Sequence, residues 1–266
     1  MFKLFSNLKK SWFVIIIIII LLVIQAMAEL ELPDYTSRIV NVGIQQGGIE
    51  DCIPQVARES TMNNLLLATK DGNFVLSQYT LITKKSPEYV KYKEKYPILE
   101  EENIYVLNNI SNENREKLID ELAEPLIMFY FINNAKDETK AMMSDFALSW
   151  FPENLREKYK DKDLIELAKH MPQEQKNQLI GMFEDEIESR VGDMVDQSAV
   201  MAVQSEYWAC GVDMNKLQEA YLWKAGFQML GVALIIMVCA ITIMYLSSGL
   251  ACKLGKILRE KVSEKY

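Results

Sequence analysis

The chain has 266 residues, half of them hydrophobic, and a formal net charge of −8. That length allows one large domain or two small ones. An acidic chain lacks the basic surface that binds a phosphate backbone, so the composition argues against nucleic acid as a partner.

The first predicted element is an apolar run of 17 residues from Trp12 to Ala28, which follows the basic segment MFKLFSNLKK. This run is longer than the ~7–15 residues of a signal-peptide core and shorter than the ~20 that span a bilayer. Ala26-Met27-Ala28 has the small-x-small pattern that signal peptidase cleaves. A cleaved signal and a retained membrane helix therefore both remain open.

Helix signals dominate between residues 50 and 220. One stretch, NFVLSQYTLIT (73–83), looks like a strand. Ser86-Pro87-Glu88 predicts a helix start, and Ser111 predicts the cap of another helix that Pro125 should end or kink.

Two more helices are predicted before the second apolar run. One covers roughly Asp163 to His170 and is broken from the next by Met171-Pro172. The other covers 184–205, where apolar residues recur every three or four positions. The region between the apolar runs is therefore expected to be mostly helical, with at most a short sheet.

The second apolar run, Gly226 to Leu246, has 21 residues and no charge, which favours a membrane span over a buried core helix. Residues 1–10 carry +3 and residues 249–266 carry +3, and subtracting both from −8 leaves −14 in between. Basic flanks stay in the cytoplasm. Both termini are thus predicted to be cytoplasmic.

Catalytic signatures are missing from the sequence. The acidic runs Glu100–Glu102 and Glu184–Glu186 lack the spacing of a calcium loop and are interpreted as solvated helix faces. GLACKLGK (249–256) differs from a phosphate loop because five residues separate its glycines and Ile257 replaces the hydroxyl residue. We therefore predict no catalytic, cofactor or metal site on this chain.

Of the four cysteines, Cys52 and Cys210 lie close to the two apolar runs on the predicted outer side. A disulfide between them could tie the base of the outer region, and two free buried thiols are equally compatible with the sequence.

Both ends of the chain resemble one family. AELELPDYTSRIVNVGIQQGGIE (28–50) resembles the first transmembrane segment of bacterial ABC exporters, through Leu32-Pro33, Ile39-Val40 and Gly43-Ile44. Residues 219–266 resemble the second exporter helix, which leaves the membrane at Tyr-Leu-Ser-Ser and continues as a basic cytoplasmic helix. Typical exporters join these helices by a short loop, whereas here a large insert intervenes.

The resemblance implies a mainly α membrane protein located in the cell membrane. It implies a cytoplasmic N-terminus with the first transmembrane helix (1–48), an extracytoplasmic inserted domain (49–213), and a second transmembrane helix with a cytoplasmic extension (214–266). The chain would be a fragment that contributes two helices of the translocation pathway and is no enzyme by itself. ATP and Mg would bind a nucleotide-binding domain outside it.

The expected partners follow from that family: membrane lipid, the remaining transporter helices, the nucleotide-binding domain and a second, identical or different half-transporter. Retention of the first segment makes one helix of Trp12 to Ile44, about 50 Å long. Pro33 would kink it, and Asp34 and Arg38 would pair on one face. The cytoplasmic coupling extension would present four basic residues: Lys253, Lys256, Arg259 and Lys261.

Two other interpretations remain. A two-span membrane sensor with an extracytoplasmic ligand-binding domain has the same layout, and a secreted protein with a cleaved signal would still carry the second span.

Overall fold

A computed structural model of the protein describes residues 12–191 and 195–263. The chain forms two compact units. One unit holds Met1–Gln45 with Glu219–Tyr266, and the other is Gln46–Gln218. The predicted domain boundaries lay close by, at 48/49 and 213/214.

The first unit consists of two long apolar helices. Helix α1 spans Trp12–Arg38 and continues as a π-helix over Ile39–Gln45, while the C-terminal helix, α11, spans Met214–Ser263. Their most apolar windows have mean hydropathies of 2.9 and 2.6, and almost none of those residues are buried. Both helices are therefore long and apolar enough to cross a membrane.

These two helices meet at Gly43, which is buried. A Cβ placed on Gly43 would lie 2.6 Å from Cδ2 of Leu222 and 3.4 Å from Cδ1 of Tyr221. A larger residue at position 43 would therefore require the Leu222 side chain to shift.

The second unit contains a small antiparallel sheet in the order β1-β3-β2. Its strands are β1 (Val56–Arg58), β2 (Tyr79–Ile82) and β3 (Ile104–Leu107). In the register of the sheet, Tyr105 of the central strand pairs with Ala57 of β1 on one side and with Leu81 of β2 on the other. A mostly helical fold with a short sheet was predicted, and the structure confirms it.

The other described elements of the second unit are helical. They are α2 (Glu59–Leu65), α3 (Gly72–Ser77), α4 (Tyr89–Lys95), a 3₁₀ turn (Pro97–Glu100), α5 (Asn112–Asn134), α6 (Asp137–Ser149), α7 (Glu153–Tyr159), α8 (Leu164–His170), α9 (Gln173–Val191) and α10 (Val195–Ala209).

Three predicted helix signals can be compared with these bounds. Ser111 caps α5 by accepting a hydrogen bond from the amide of Asn114, and Asp163 caps α8 in the same way through the amide of Glu166. Pro125 does not end α5, which continues to Asn134 with the proline ring buried. Packing of this long helix in the core outweighs the one backbone hydrogen bond that proline removes.

The strand predicted over residues 73–83 was half wrong. Its first part forms helix α3, because the carboxylate of Asp71 accepts from the amide of Phe74 and starts a helical turn. Only Tyr79–Ile82 pairs with the central strand. Short apolar stretches fit both helix and strand, and the cap decided between them here.

The core of the second unit lies between α5 and α10. Leu118, Leu122 and Ile127 of α5 are fully buried against it, as are Ala199 and Val203 of α10. The amphipathic segment predicted over 184–205 runs through α9 and α10, while residues 192–194 lie outside the described residues.

Candidate functional site

The sequence placed three site residues in the first apolar helix. Pro33 lies inside α1, which continues past it without a break to Arg38. Nε of Arg38 lies 3.0 Å from the carboxylate of Asp34, so the predicted ion pair is formed. Both side chains are more than half exposed, and the guanidinium also lies 5.9 Å from the ring centroid of Tyr35. The predicted kink stays a prediction.

The four basic residues of the predicted extension all lie in α11. Lys253, Lys256 and Arg259 are exposed, and Lys261 is in the same helix. The apolar run and the basic segment are thus one continuous helix, as the sequence predicted. A cation in the last turns of a helix also interacts favourably with the helix dipole.

Cys52 and Cys210 are both buried in the second unit, with exposures of 2% and 0%. No disulfide joins them, so the structure has the second of the two arrangements that the sequence left open. Burial, and then the neighbouring Glu206 carboxylate, raises the pKa of the Cys210 thiol. A thiol held in its protonated form is a poor nucleophile, which argues for a packing role.

The entry and exit segments of the second unit are joined by a buried carboxylate that the sequence analysis missed. Glu206 of α10 accepts from the backbone amide of Arg58 at 2.7 Å and from its guanidinium at 3.1 and 2.8 Å. The hydroxyl of Thr61 donates to the same carboxylate at 2.9 Å. We call these three residues the Glu206 latch.

Two neighbouring contacts reinforce this junction. The amide of Gln55 donates to the hydroxyl of Tyr207 at 2.8 Å. A Cβ on Gly47 would lie 3.6 Å from Cε of Met214, the first residue of α11. The second unit therefore brings its own two ends together. The signal in the sequence was a lone carboxylate on the apolar face of α10, between Val203 and Cys210.

Helices α6, α8 and α9 of the second unit form an apolar groove of about 400 Å³. Three methionines and two phenylalanines line it, together with two leucines and a threonine. The lining residues are Thr139, Met142, Met143, Phe146, Leu164, Leu179, Met182 and Phe183. No sequence motif indicated this groove, because its residues come from three separate helices.

Within residues 12–191 and 195–263, no cluster of three or more His, Cys, Asp or Glu side chains could hold a metal ion. No family profile, curated protein or solved structure matches this chain.

Proposed function

We propose that this chain is a membrane component of an ATP-driven ABC exporter, to which it supplies two helices of the translocation pathway and an extracytoplasmic domain. The observation that carries the proposal is the pair of long helices whose most apolar windows have mean hydropathies of 2.9 and 2.6, with almost none of those residues buried. A helix that is apolar on all sides needs lipid or other helices as neighbours.

The charge pattern supports the orientation. Residues 1–10 and 249–266 are basic, and the region between the helices is acidic. Under the positive-inside rule both termini lie in the cytoplasm, and Gln46–Gln218 lies outside the cell membrane.

The export role itself rests on the resemblance of residues 28–50 and 219–266 to the first two exporter helices. Helix α11 continues without a break into its basic segment. In an exporter that segment would run toward the ATP-binding domain, which with bound ATP and Mg supplies the energy. The second half-transporter, the other helices and membrane lipid are the partners of this proposal.

Thiol labelling in intact cells tests the topology. Cys252 is exposed and lies in the basic segment, so an impermeant maleimide should not reach it until the cells are permeabilised. A cysteine in place of Lys85, an exposed residue of the second unit, should react at once in a Cys252→Ser background. Labelling of Cys252 in intact cells would contradict the orientation, and N-terminal sequencing that starts after Ala28 would show a cleaved signal.

A coupling assay tests the export role. The tagged chain, extracted with its partners from native membranes, should carry a transport-linked ATPase. Leu254→Pro should uncouple that ATPase from transport, since a proline inside a helix costs ~3 kcal/mol or more. Ala251→Ser, at an exposed position one turn earlier in the same helix, is the control. Co-purification of a kinase or a methyl-accepting protein, with no ATPase, would favour the two-span sensor.

A further inference from the structure

The groove between α6, α8 and α9 exposes large apolar side chains. Met142 is 72% exposed, Met182 52% and Phe146 44%. Thr139 is the one polar residue among those that line the groove. An exposed apolar patch of this kind on a folded surface marks a binding site.

The groove continues inward. Leu164, Leu179 and Phe183 line it and also line a smaller cavity of about 30 Å³ that reaches Met128 and Ile132 in the core. Methionine side chains are flexible and polarisable, so they adapt to occupants of different shape. An apolar side chain that enters the groove would therefore meet a deformable wall backed by the core.

Charge decides what kind of molecule fits. The three helices that form the groove carry nine Asp and Glu residues against four Lys and Arg. Glu138 and Asp145 are exposed on α6 along one edge of its Met142 face, and Asp185 is exposed on α9 next to Met182. An anionic lipid headgroup would be repelled by this rim, and a cation would be attracted.

Lys176 lines the adjoining small cavity, and Lys140 of α6 is bound by a backbone carbonyl. Nζ of Lys140 donates to the backbone carbonyl of Asn133 at 2.6 Å, which holds it at the start of α6. The groove thus combines an apolar floor with an acidic rim.

We propose that this groove binds a cationic amphipathic peptide, with its apolar face on the methionines and its basic residues along the acidic rim. Helix α6 has 13 residues and is about 20 Å long, so a peptide helix of about 14 residues matches it. An amphipathic helix in an apolar groove is a common recognition mode. This binding is independent of the export role, because it requires only the folded second unit.

The probe is a fluorescent 14-residue peptide of leucine and lysine with leucine at helical spacing, and the protein is the full chain in phosphatidylcholine discs. Met142→Gln with Met182→Gln should raise the Kd about tenfold or more, since the peptide loses its apolar contacts with the two methionines. Both side chains are exposed in the free protein, so the fold should tolerate the change. Met201→Gln, at a methionine 56% exposed on α10, is the matched control and should leave the Kd unchanged.

The rim is tested separately. Asp145→Lys with Asp185→Lys should weaken binding and reduce its salt dependence, whereas Glu94→Lys with Glu153→Lys, the same charge change away from the groove, should do neither. A peptide with glutamate in place of lysine should bind at least tenfold more weakly.

Three results would overturn the proposal. Equal affinity of wild type and both groove variants would remove the site, and equal binding of the glutamate peptide would remove the charge argument. If a pyrene-labelled fatty acid bound the groove and the lysine peptide did not, the groove would hold an acyl chain instead. Protection of Cys210 from maleimide shows in each case that the variant is folded.

Discussion

Removal of the Glu206 carboxylate should destabilise the second unit, because it breaks the ion pair that joins the two ends of this unit. In Glu206→Ala, the amide of Arg58 and the hydroxyl of Thr61 lose their acceptor, and the guanidinium loses its counter-charge. Breaking a buried ion pair typically costs about 3–5 kcal/mol.

The lower end of that range applies here. Glu206 is 6% exposed in its side chain, but the side chain of Arg58 is 32% exposed and can turn toward water. We therefore expect a loss of about 3 kcal/mol, equivalent to a fall in Tm of about 6–12 °C for a domain of this size. Glu206→Gln keeps the shape and should lose about half as much, because a charged hydrogen bond becomes a neutral one.

Urea unfolding with pulsed maleimide labelling measures this loss. In a chain whose Cys239 and Cys252 are alanine, labelling of the buried Cys52 and Cys210 reports opening of the second unit. Glu100→Ala, which breaks an exposed ion pair with Lys93, is the control and should leave the midpoint unchanged.

A double-mutant cycle with Arg58→Ala separates the interaction free energy of the ion pair from the other effects of each substitution. The coupling free energy should be about 1.5–3 kcal/mol, the range for hydrogen bonds to charged groups. Two results would refute the stabilising role of the Glu206 latch. One is additive effects in the cycle, and the other is a free energy of unfolding of Glu206→Ala within about 0.5 kcal/mol of wild type.

Three further predictions concern the cysteine, the helix contact and the exposed ion pair. The pKa of Cys210 is raised in the folded chain, so its contribution to stability is present below the unfolded pKa of about 8.5 and is lost as pH rises. Between pH 8 and 10 the wild type should lose about 2 kcal/mol of unfolding free energy that Cys210→Ala does not lose. Parallel pH profiles of the two proteins would contradict this prediction. Gly43→Ala should lower the Tm through its contact with Leu222, and Leu222→Ala should restore it. Gly231→Ala, whose new methyl group meets nothing within 4 Å, is the control and should not lower the Tm. If Leu222→Ala fails to restore the Tm, the contact with Leu222 is not the cause. Arg38→Ala should change stability by only about 0.3–0.5 kcal/mol, as exposed i,i+4 pairs do, and a larger loss in thermal unfolding would mean that Asp34 and Arg38 work in a less exposed setting.

The sequence by itself determined the features that depend on local pattern. The two apolar runs indicated where the long helices lie, and i,i+4 spacing predicted the pair of Asp34 and Arg38. Ser111 and Asp163 predicted their helix starts because a cap needs only the amides three residues ahead. Each of these signals lies within a few residues of what it specifies.

Tertiary structure alone decided the rest. Glu206 meets Arg58 across 148 residues of chain, and the methionines of the groove come from helices that a sequence pattern treats as unrelated. Helix α5 continues past the buried Pro125, where the local rule expected an end or a kink, and pairing with β3 selected only Tyr79–Ile82 from an ambiguous stretch. Long-range contacts and burial set these outcomes, and their free energies exceed the local preferences that a sequence displays.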